Sequence, residues 1–277
     1  MNSPHSERPC FRVLAIGDVF GKPGRKCISH FIERIREEIR PDFIVANGEN
    51  AAGGFGITLK VFAMLTEELG VDAVTMGNHW MDKPEARELI DHPRFILPGN
   101  MENVNELFQG VRLIRSRSGT DVAVINLLGS AFMKGENRGP IETGEKLLTR
   151  VPQHVKIRIV DMHAETSSEK QAVGHHFARR VSLVYGTHTH VPTADERIFD
   201  GWTGFVTDVG MTGPYDSVVG IRKEAAIRRI TSGVKKGFEP ALGDPWLCAL
   251  VGDMDPATGA CFGVERIRWK AELTGAD

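Results

Sequence analysis

Ten histidines but only four cysteines occur in the 277 residues of this chain. His188 and His190 form the most suggestive pair, because alternate residues of an extended segment face the same side. Other carboxylate, amide and imidazole side chains follow short apolar runs, and they are Asp18, Glu49, Asn50, Asn78, His79 and His163. Imidazole nitrogens combined with carboxylate oxygens suit iron, manganese or zinc, whereas calcium prefers oxygen ligands alone. These residue types therefore predict a metal site with nitrogen and oxygen ligands.

The elements that must position these side chains are short strands alternating with helices. FRVLAIG (11–17), DFIVAN (42–47) and VDAVTMG (71–77) predict strands, each followed by candidate residues. Apolar residues three and four positions apart predict helices over 25–40 and 59–69. Strands that are apolar throughout are buried on both faces, which is typical of α/β proteins. Because ligands bind outside the carboxyl ends of such strands, we expect six separate segments to direct their polar groups at one rim.

The second half of the chain predicts more hairpins. Apolar runs over 111–129 and 246–269 each predict a β-hairpin, and residues 129–145 predict a long loop. KIRIVDMH predicts a strand ending at His163, after which Thr166-Ser167-Ser168-Glu169 matches a capping box that begins a helix reaching Arg180. No repeat or linker interrupts the pattern, which predicts a flexible N-terminus over 1–9 and a single domain over 10–272.

Charge and composition exclude several classes of protein. With 34 basic and 36 acidic residues the formal net charge is −2, so we expect no binding of nucleic acid by bulk electrostatic attraction. No apolar run approaches the roughly 20 residues that span a bilayer, and the N-terminus lacks the apolar segment of a signal peptide. The scattered cysteines indicate reduced thiols. We therefore expect a cytoplasmic protein without membrane contact.

Several motifs of this chain resemble those of a known superfamily. The motifs are Gly17-Asp18, Gly48-Glu49-Asn50, Gly77-Asn78-His79, Asp161-x-His163 and Gly186-Thr187-His188-Thr189-His190. Their order and spacing resemble calcineurin-like metallophosphoesterases. The strings NGENAAGGFG, TMGNH, HAETSSEK, GTHTHVPTAD and TDVGMTGPYD are similar to the bacterial YmdB-type subgroup, over about residues 11–270. The resemblance implies an α/β fold, a four-layer αββα sandwich of two facing mixed sheets with two metal ions at the strand ends.

The resemblance also implies a ligand set, residue by residue. The expected ligands of one ion are Asp18, Glu49, Asn50 and His190. Those of the second ion are Glu49, Asn78, His163 and His188, with Glu49 bridging. The first motif of the superfamily is Asp-x-His, but here Phe20 replaces the histidine, and Asn50 would fill the vacated position as in the YmdB-type subgroup. The expected cofactors are two divalent or trivalent ions, iron, manganese or both.

The activity that the resemblance implies is hydrolysis of phosphodiesters, with cyclic nucleotides (2′,3′-cyclic, 3′,5′-cyclic or both) as expected substrates. A hydroxide that bridges the ions would attack phosphorus, and His79 would protonate the leaving group. A broad phosphomonoesterase, a phosphoprotein phosphatase and a non-catalytic metal-binding scaffold stay open, as does homo-oligomerisation. A TIM-barrel amidohydrolase fits less well, because its His-x-His pair comes on the first strand and not near residue 188.

Substrate-binding residues are not identified by these motifs. The predicted 129–145 loop, with Phe132, Lys134 and Arg138, is where we expect substrate selection. Lys22 and Arg25 fall near the rim, where a solvated helix start is the simpler interpretation. Further candidates to orient a ligand or lie near the site, with a turn role as the alternative, are Asn126, Asp208 and Tyr215. The adjacent His175 and His176 predict a surface or structural role.

Overall fold

Two facing β-sheets form the centre of the computed structural model, which describes residues 9–101, 110–133, 137–233 and 239–272. The predicted flexible N-terminus falls almost entirely outside these residues, and so does Lys134. Within the described ranges, no helix has both the length and the apolar character that crossing a membrane requires.

The first sheet contains eight strands among the described residues. They are β1 Phe11–Ile16, β2 Asp18–Val19, β3 Phe43–Asn47, β4 Ala73–Thr75, β5 Phe95–Ile96, β12 Met211–Pro214, β13 Pro245–Met254 and β14 Cys261–Lys270. Their order is β2-β12-β13-β1-β3-β4-β5, with β14 paired to β13. Strands β1, β3, β4 and β5 run parallel, so their carboxyl ends meet at one edge. The antiparallel pairing of β13 and β14 confirms the predicted final hairpin.

The second sheet contains six strands in the same described ranges. They are β6 Val111–Arg115, β7 Asp121–Leu128, β8 Ile157–His163, β9 Leu183–Thr187, β10 Arg197–Phe199 and β11 Thr203–Val206. Their order is β10-β11-β9-β8-β7-β6, with β7, β8, β9 and β11 parallel and antiparallel strands at both edges. The pairing of β6 with β7 confirms the other predicted hairpin.

The described residues form five α-helices, which are α1 Gly21–Arg34, α2 Leu59–Ala63, α3 Pro140–Leu148, α4 Ser167–His176 and α5 Lys223–Ser232. Helices α1 and α2 pack on the outer face of the first sheet, and α3 and α4 pack on that of the second. π-Helical turns extend α1 over Ile35–Ile39 and α2 over Met64–Glu68, and a 3₁₀ segment spans Pro84–Leu89. The expected loop over 129–145 was wrong in part, because α3 begins at Pro140, which favours the first helical position. Helix α4 begins after Thr166 as predicted but ends before Arg180.

Alternation along the strands creates three separate apolar layers. On β1, Val13 and Ala15 point between the sheets, whereas Leu14 and Ile16 pack under the first helix layer. Strand β8 divides in the same way between the intersheet core and the layer under α3 and α4. Because both faces of these strands are buried, their sequences are mostly apolar. Helix, sheet, sheet and helix layers confirm the predicted αββα sandwich.

Candidate metal centre

Four of the predicted ligands lie together where β8 and β9 end, and we name Glu49, Asn78, His163 and His188 the His163 group. The Nε2 atom of His163 lies 3.1 Å from Glu49 Oε1 and 3.3 Å from Asn78 Oδ1. The Nδ1 atom of His188 lies 3.1 Å from that same Nε2. Three side chains of this group, those of Glu49, His163 and His188, have ligand atoms within 4.8 Å of one another.

Buried polar residues behind His163 hold its ring in place. The Nδ1 atom of His163 lies 2.9 Å from Thr187 Oγ1, and that hydroxyl donates to Asp161 Oδ1 at 2.7 Å. Thr75 and Asn47 also donate to Asp161, at 2.5 and 3.2 Å. With Nδ1 occupied by this network, Nε2 faces the centre of the group. Strand ends from both sheets therefore orient one imidazole.

Gly77 is required by the packing of this group. A Cβ atom at residue 77 would collide with Glu49 Oε2 and His163 Nε2. Glycine therefore lets the chain pass directly over the two ligand atoms. The next two residues then point into the site, where Asn78 faces His163 and the backbone N–H of His79 donates to Glu49 Oε2 at 3.1 Å.

The remaining three predicted ligands, Asp18, Asn50 and His190, lie next to the His163 group, and we name them the His190 group. His190 Nε2 lies 3.1 Å from Asn50 Oδ1 and 4.0 Å from Asp18 Oδ1. Asn50 donates its Nδ2 to the Gly54 carbonyl at 3.0 Å, which leaves Oδ1 facing the site. His190 Nδ1 lies 2.9 Å from the Val219 carbonyl, an acceptor that orients Nε2 inward.

The turn that contains both histidines of the His-x-His pair is strained and tightly held. His188 and His190 have φ values of 95° and 64°, a left-handed conformation that costs energy for residues other than glycine. Asp18 accepts hydrogen bonds from the His188 N–H at 3.1 and 3.2 Å. Asp208 accepts from both the N–H and the hydroxyl of Thr189, at 3.2 and 2.8 Å. Tertiary contacts therefore fix a backbone that the local sequence disfavours.

Asp208 is itself paired with a buried lysine. Lys170 on α4 donates its Nζ to Asp208 Oδ2 at 2.7 Å, and both side chains are only 1% exposed. A buried charge needs such a partner, because its desolvation is costly. Asp208 thus orients the histidine turn from behind, the role that the sequence suggested for it. Lys170 was not among the sequence candidates, since nothing in its helical segment predicts burial.

His79 lies beside the His163 group, at the wall of an adjoining cavity. Its Nδ1 atom is 2.8 Å from Asp82 Oδ2, and its ring packs edge-on against Phe55 with centroids 5.1 Å apart. The cavity has a volume of about 370 Å³, and its lining includes His79, His188 and His190. Its apolar wall consists of Phe20, Phe55, Val219 and Ile221. With Nδ1 engaged by Asp82, Nε2 of His79 is the nitrogen left for chemistry.

Within the His163 group, neighbouring side chains shift one another's pKa values. Burial alone would raise the pKa of Glu49, but the charge and hydrogen bond of His163 outweigh it and lower this pKa to about 2. Burial likewise opposes protonation of His163, yet Glu49 and Asp18 raise its pKa to about 9. Burial and the neighbouring His163 lower the pKa of His188 to about 3. Burial raises the pKa of Asp18 to about 6.

The chemistry of this donor set fits metal ions. Ligand atoms bound to one ion at about 2.1 Å lie about 3 Å apart when adjacent, and the His163 group has such separations. Imidazole, carboxylate and amide donors suit iron, manganese or zinc. His163 Nε2 and His188 Nδ1 face each other beside the carboxylate of Glu49. A single proton can form a hydrogen bond between only two of these three acceptors. A cation satisfies all three donors at once.

Other sequence candidates have structural roles. Asn126 on β7 donates to the carbonyls of Met76 and Ile96 at 2.6 and 3.0 Å, which ties the segment before Asn78 to the second sheet. Tyr215 lies away from the cavity, where its hydroxyl donates to the Met211 carbonyl. Arg25 donates to the Ala51 carbonyl, so it supports the loop after Asn50. His175 and His176 are exposed, as predicted.

The described residues of the expected substrate loop do not line the cavity. Phe132 is 89% exposed, and neither it nor Arg138 contributes to the cavity wall. Glu165 does line the wall, with its Oε2 atom 3.1 Å from His188 Nε2. Sequence reasoning missed both Glu165 and Asp82. Their signals were weak but present, because Glu165 lies two residues beyond the strand residue His163 and Asp82 follows His79 by three.

Known proteins are similar to this chain over nearly its whole length. Residues 14–267 match the family model described as YmdB-like protein. A Bacillus subtilis protein described as a 2′,3′-cyclic-nucleotide 2′-phosphodiesterase is 38% identical over 257 residues, covering 92% of this chain and 96% of that protein. A Mycoplasma pneumoniae protein described as a putative phosphatase/phosphodiesterase is 33% identical, with 93% of this chain and 92% of that protein covered.

Two solved structures have the same architecture. The crystal structure of a phosphatase from Mycoplasma pneumoniae superposes with a TM-score of 0.87 at 31% identity, covering 95% of this chain and 94% of the other. The structure of a hypothetical protein from Thermus thermophilus superposes with a TM-score of 0.85 at 32% identity, covering 94% of this chain and 99% of the other. These superpositions confirm the sandwich over nearly the whole chain.

Proposed function

The chain belongs to the YmdB-like protein family, and from this premise we propose that it is a metal-dependent phosphodiesterase acting on cyclic nucleotides. The observation that supports this most directly is the convergence of seven metal-capable side chains, of which Glu49, Asn50, His188 and His190 line one cavity together with His79. The similarity to the Bacillus subtilis protein supports 2′,3′-cyclic nucleotides as the substrate class. We propose the His163 and His190 groups as the holders of two ions, iron, manganese or both.

The ions, when bound, would polarise the phosphate ester and make a water molecule acidic enough to attack near neutral pH. Glu49 is buried in the site, where its side chain contacts His163 and the backbone N–H of His79. This position suits a carboxylate shared between the two groups. The protein contributes orientation here, because His163, His190 and Asn50 are held by hydrogen bonds on their outer sides.

His79 is the proposed acid that protonates the leaving oxygen. Asp82 Oδ2 lies 2.8 Å from its Nδ1, which holds the ring and leaves Nε2 as the nitrogen that can pass a proton to the leaving oxygen. The apolar wall of Phe20, Phe55, Val219 and Ile221 gives a nucleobase a surface on which to pack. Aromatic faces hold bases without a strong preference among them. The site thus combines a phosphate centre with a base-sized apolar wall.

A kinetic panel on metal-loaded protein tests this proposal. We expect higher kcat/KM for 2′,3′-cyclic AMP than for 3′,5′-cyclic AMP, a chromogenic bis-ester and the matching chromogenic monoester. Preference for the monoester would contradict diesterase activity and favour a phosphomonoesterase, a class that the Mycoplasma pneumoniae relatives also suggest. No hydrolysis with iron, manganese, nickel or cobalt would favour a metal-binding scaffold.

His79→Ala tests the acid role separately from metal binding. We expect bound metal to be unchanged, because the side chain of His79 lies beside the ligands and contacts none of them as a donor. Turnover should fall by about 10²–10⁴-fold, the usual contribution of a general acid. Elemental analysis and single-turnover kinetics measure the two effects, with the exposed His154→Ala as control. Near-wild-type turnover in His79→Ala would refute the role.

A further inference from the structure

A second cavity lies at the opposite end of the second sheet, with a volume of about 410 Å³. Lys156 and Arg158 bring the amino end of β8 to its wall, whereas His163 ends the same strand at the metal centre. At a rise of about 3.3 Å per residue, the two ends of β8 are roughly 20 Å apart. The last turn of α3, the segment between α4 and β9, and the turns between β10 and β11 and between β13 and β14 complete the wall. It is therefore a separate site.

The charges at this cavity are predominantly positive. Its lining contains Lys156, Arg158, Arg179 and Arg180 against one carboxylate, Glu145. That carboxylate is already engaged, because Arg180 Nη1 donates to it at 2.7 Å and His176 lies 2.6 Å away. The net charge of the chain is only −2, so its composition does not predict a local cluster of positively charged side chains.

Hydrogen bonds to backbone carbonyls explain only part of the cluster. Arg158 donates to the carbonyls of Val155 and Arg180 at 3.0 and 3.3 Å. Lys156 and Arg179 differ. In the described part of the chain, neither side chain forms an ion pair or donates to a carbonyl. Two cations at this wall thus have no carboxylate or carbonyl partner.

Arg179 is also held in an unfavourable conformation. Its φ of 65° is left-handed, and its backbone N–H donates to Thr203 Oγ1 at 3.0 Å. A residue with a long side chain seldom occupies this region, where glycine is easily accommodated. The guanidinium carbon of Arg179 lies 5.7 Å from the ring centre of Trp202.

Trp202 supplies a planar surface next to these cations. It is half-buried in the turn between β10 and β11 and lines the cavity. Indole faces stack on planar rings, and lysine and arginine pair with phosphate oxygens. The volume lies within the range of small-molecule sites. A ligand that combines a phosphate with an aromatic ring would use all three side chains.

We propose that this cavity is a second, non-catalytic binding site for a phosphorylated nucleoside, with Lys156 and Arg179 on the phosphate and Trp202 against the base. The inference is independent of the proposed function, because it uses no residue of the metal centre. A nucleotide bound there would lie on the same sheet as the catalytic groups, at the far end of β8.

Calorimetric titration of the metal-loaded, full-length protein with AMP tests the proposal. Lys156→Ala/Arg179→Ala should remove one AMP per chain from the binding stoichiometry, whatever the metal centre binds. Trp202→Ala should weaken AMP binding at this site by about tenfold and leave binding of inorganic phosphate unchanged. Adenosine and inorganic phosphate should each bind at least about tenfold more weakly than AMP.

Lys60→Ala/Lys146→Ala is the matched control, since it removes two exposed positive charges that do not line the cavity. We expect it to bind AMP like the wild type. Hydrolysis of a chromogenic diester by both double variants should stay unchanged, which shows that the fold and the metal centre are intact. Equal AMP stoichiometry in the two double variants would overturn the proposal. So would wild-type protein that binds no AMP up to about 1 mM.

Discussion

The His163 group and the His190 group differ in how the fold supports them. His163 Nε2 has three potential ligand atoms within 3.3 Å, and buried residues from both sheets support its other nitrogen. His190 Nε2 has one such neighbour at 3.1 Å and a carboxylate oxygen at 4.0 Å. Its outer nitrogen is held by the carbonyl of Val219, which lies outside any strand or helix.

This difference indicates that, within one centre, side chains at strand ends are held more firmly than side chains on loops. Groups on rigid elements are positioned more accurately than groups on loops. We therefore expect the His163 group to bind its ion more tightly, and the His190 group to release its ion first when a chelator is added. Substitutions in or behind one of the two groups test this expectation.

The largest effect is expected from the central histidine. His163→Ala removes a donor shared by the whole His163 group, and activity should fall by about 10³-fold or more with loss of bound metal. His190→Ala should keep one ion per chain and lose less activity. Elemental analysis and kcat/KM measure both variants against His154→Ala. Equal metal loss in the two variants would refute the proposed inequality.

Asp208→Asn should strongly destabilise the protein, because it leaves the Lys170 charge buried without a partner. Breaking a buried ion pair costs about 3–5 kcal/mol, which thermal or urea unfolding measures. Adding Lys170→Met should recover much of this stability. The double variant should nevertheless still bind metal poorly at the His190 group, since the introduced amide is a weaker acceptor for Thr189 than the carboxylate. Full recovery of both properties would show that the pair does not position the turn.

Metal affinity at the His163 group should rise with pH. A ligand imidazole must be neutral, and in the metal-free protein Glu49 and Asp18 outweigh the effect of burial and raise the pKa of His163 to about 9. An ion therefore displaces a proton below that pH, and affinity should increase by up to tenfold per unit between about pH 7 and 9.

The raised pKa of His163 also makes the stability of the metal-free fold depend on pH. Charged His163 stabilises the metal-free fold fully below its unfolded pKa of about 6.5, and this contribution is lost as the pH rises through about 9. Metal titrations and unfolding of chelated protein at several pH values measure both effects. Metal affinity that does not change between pH 7 and 9 would contradict the coupling of His163 to Glu49.

The smallest effect is expected from Asp82→Asn, beside the proposed acid. Asparagine keeps a similar shape but is a weaker acceptor for the His79 ring, so the ring is held less firmly and kcat should fall by about tenfold. Metal content and KM should stay at the wild-type values. The exposed Asp200→Asn is a suitable control. A kcat equal to that of the wild type would refute a positioning role for Asp82.

Local patterns in the chain were sufficient to predict an α/β class and the rim, whereas the four-layer arrangement was implied by the resemblance to calcineurin-like metallophosphoesterases. Apolar runs predicted the buried strands, and the polar residues after them predicted one edge, because parallel strands end on the same side. The structure brings all seven predicted ligands and His79 to that edge, while their coordination to ions stays a prediction. The helix over 140–148 was missed, since a proline and a glycine at its start resemble a loop.

Contacts between residues far apart in the chain could not be predicted from these patterns, because they depend on how the strands pair. His163 contacts Glu49, and His190 contacts Asn50, across more than a hundred residues of chain, so only the pairing of β3, β8 and β9 within two packed sheets decides which donors meet. The burial of Lys170 and the gathering of Lys156, Arg179 and Trp202 arise in the same way. Residue type and spacing limit the chemistry that a segment can do, but distances between segments follow from packing, which depends on the whole chain.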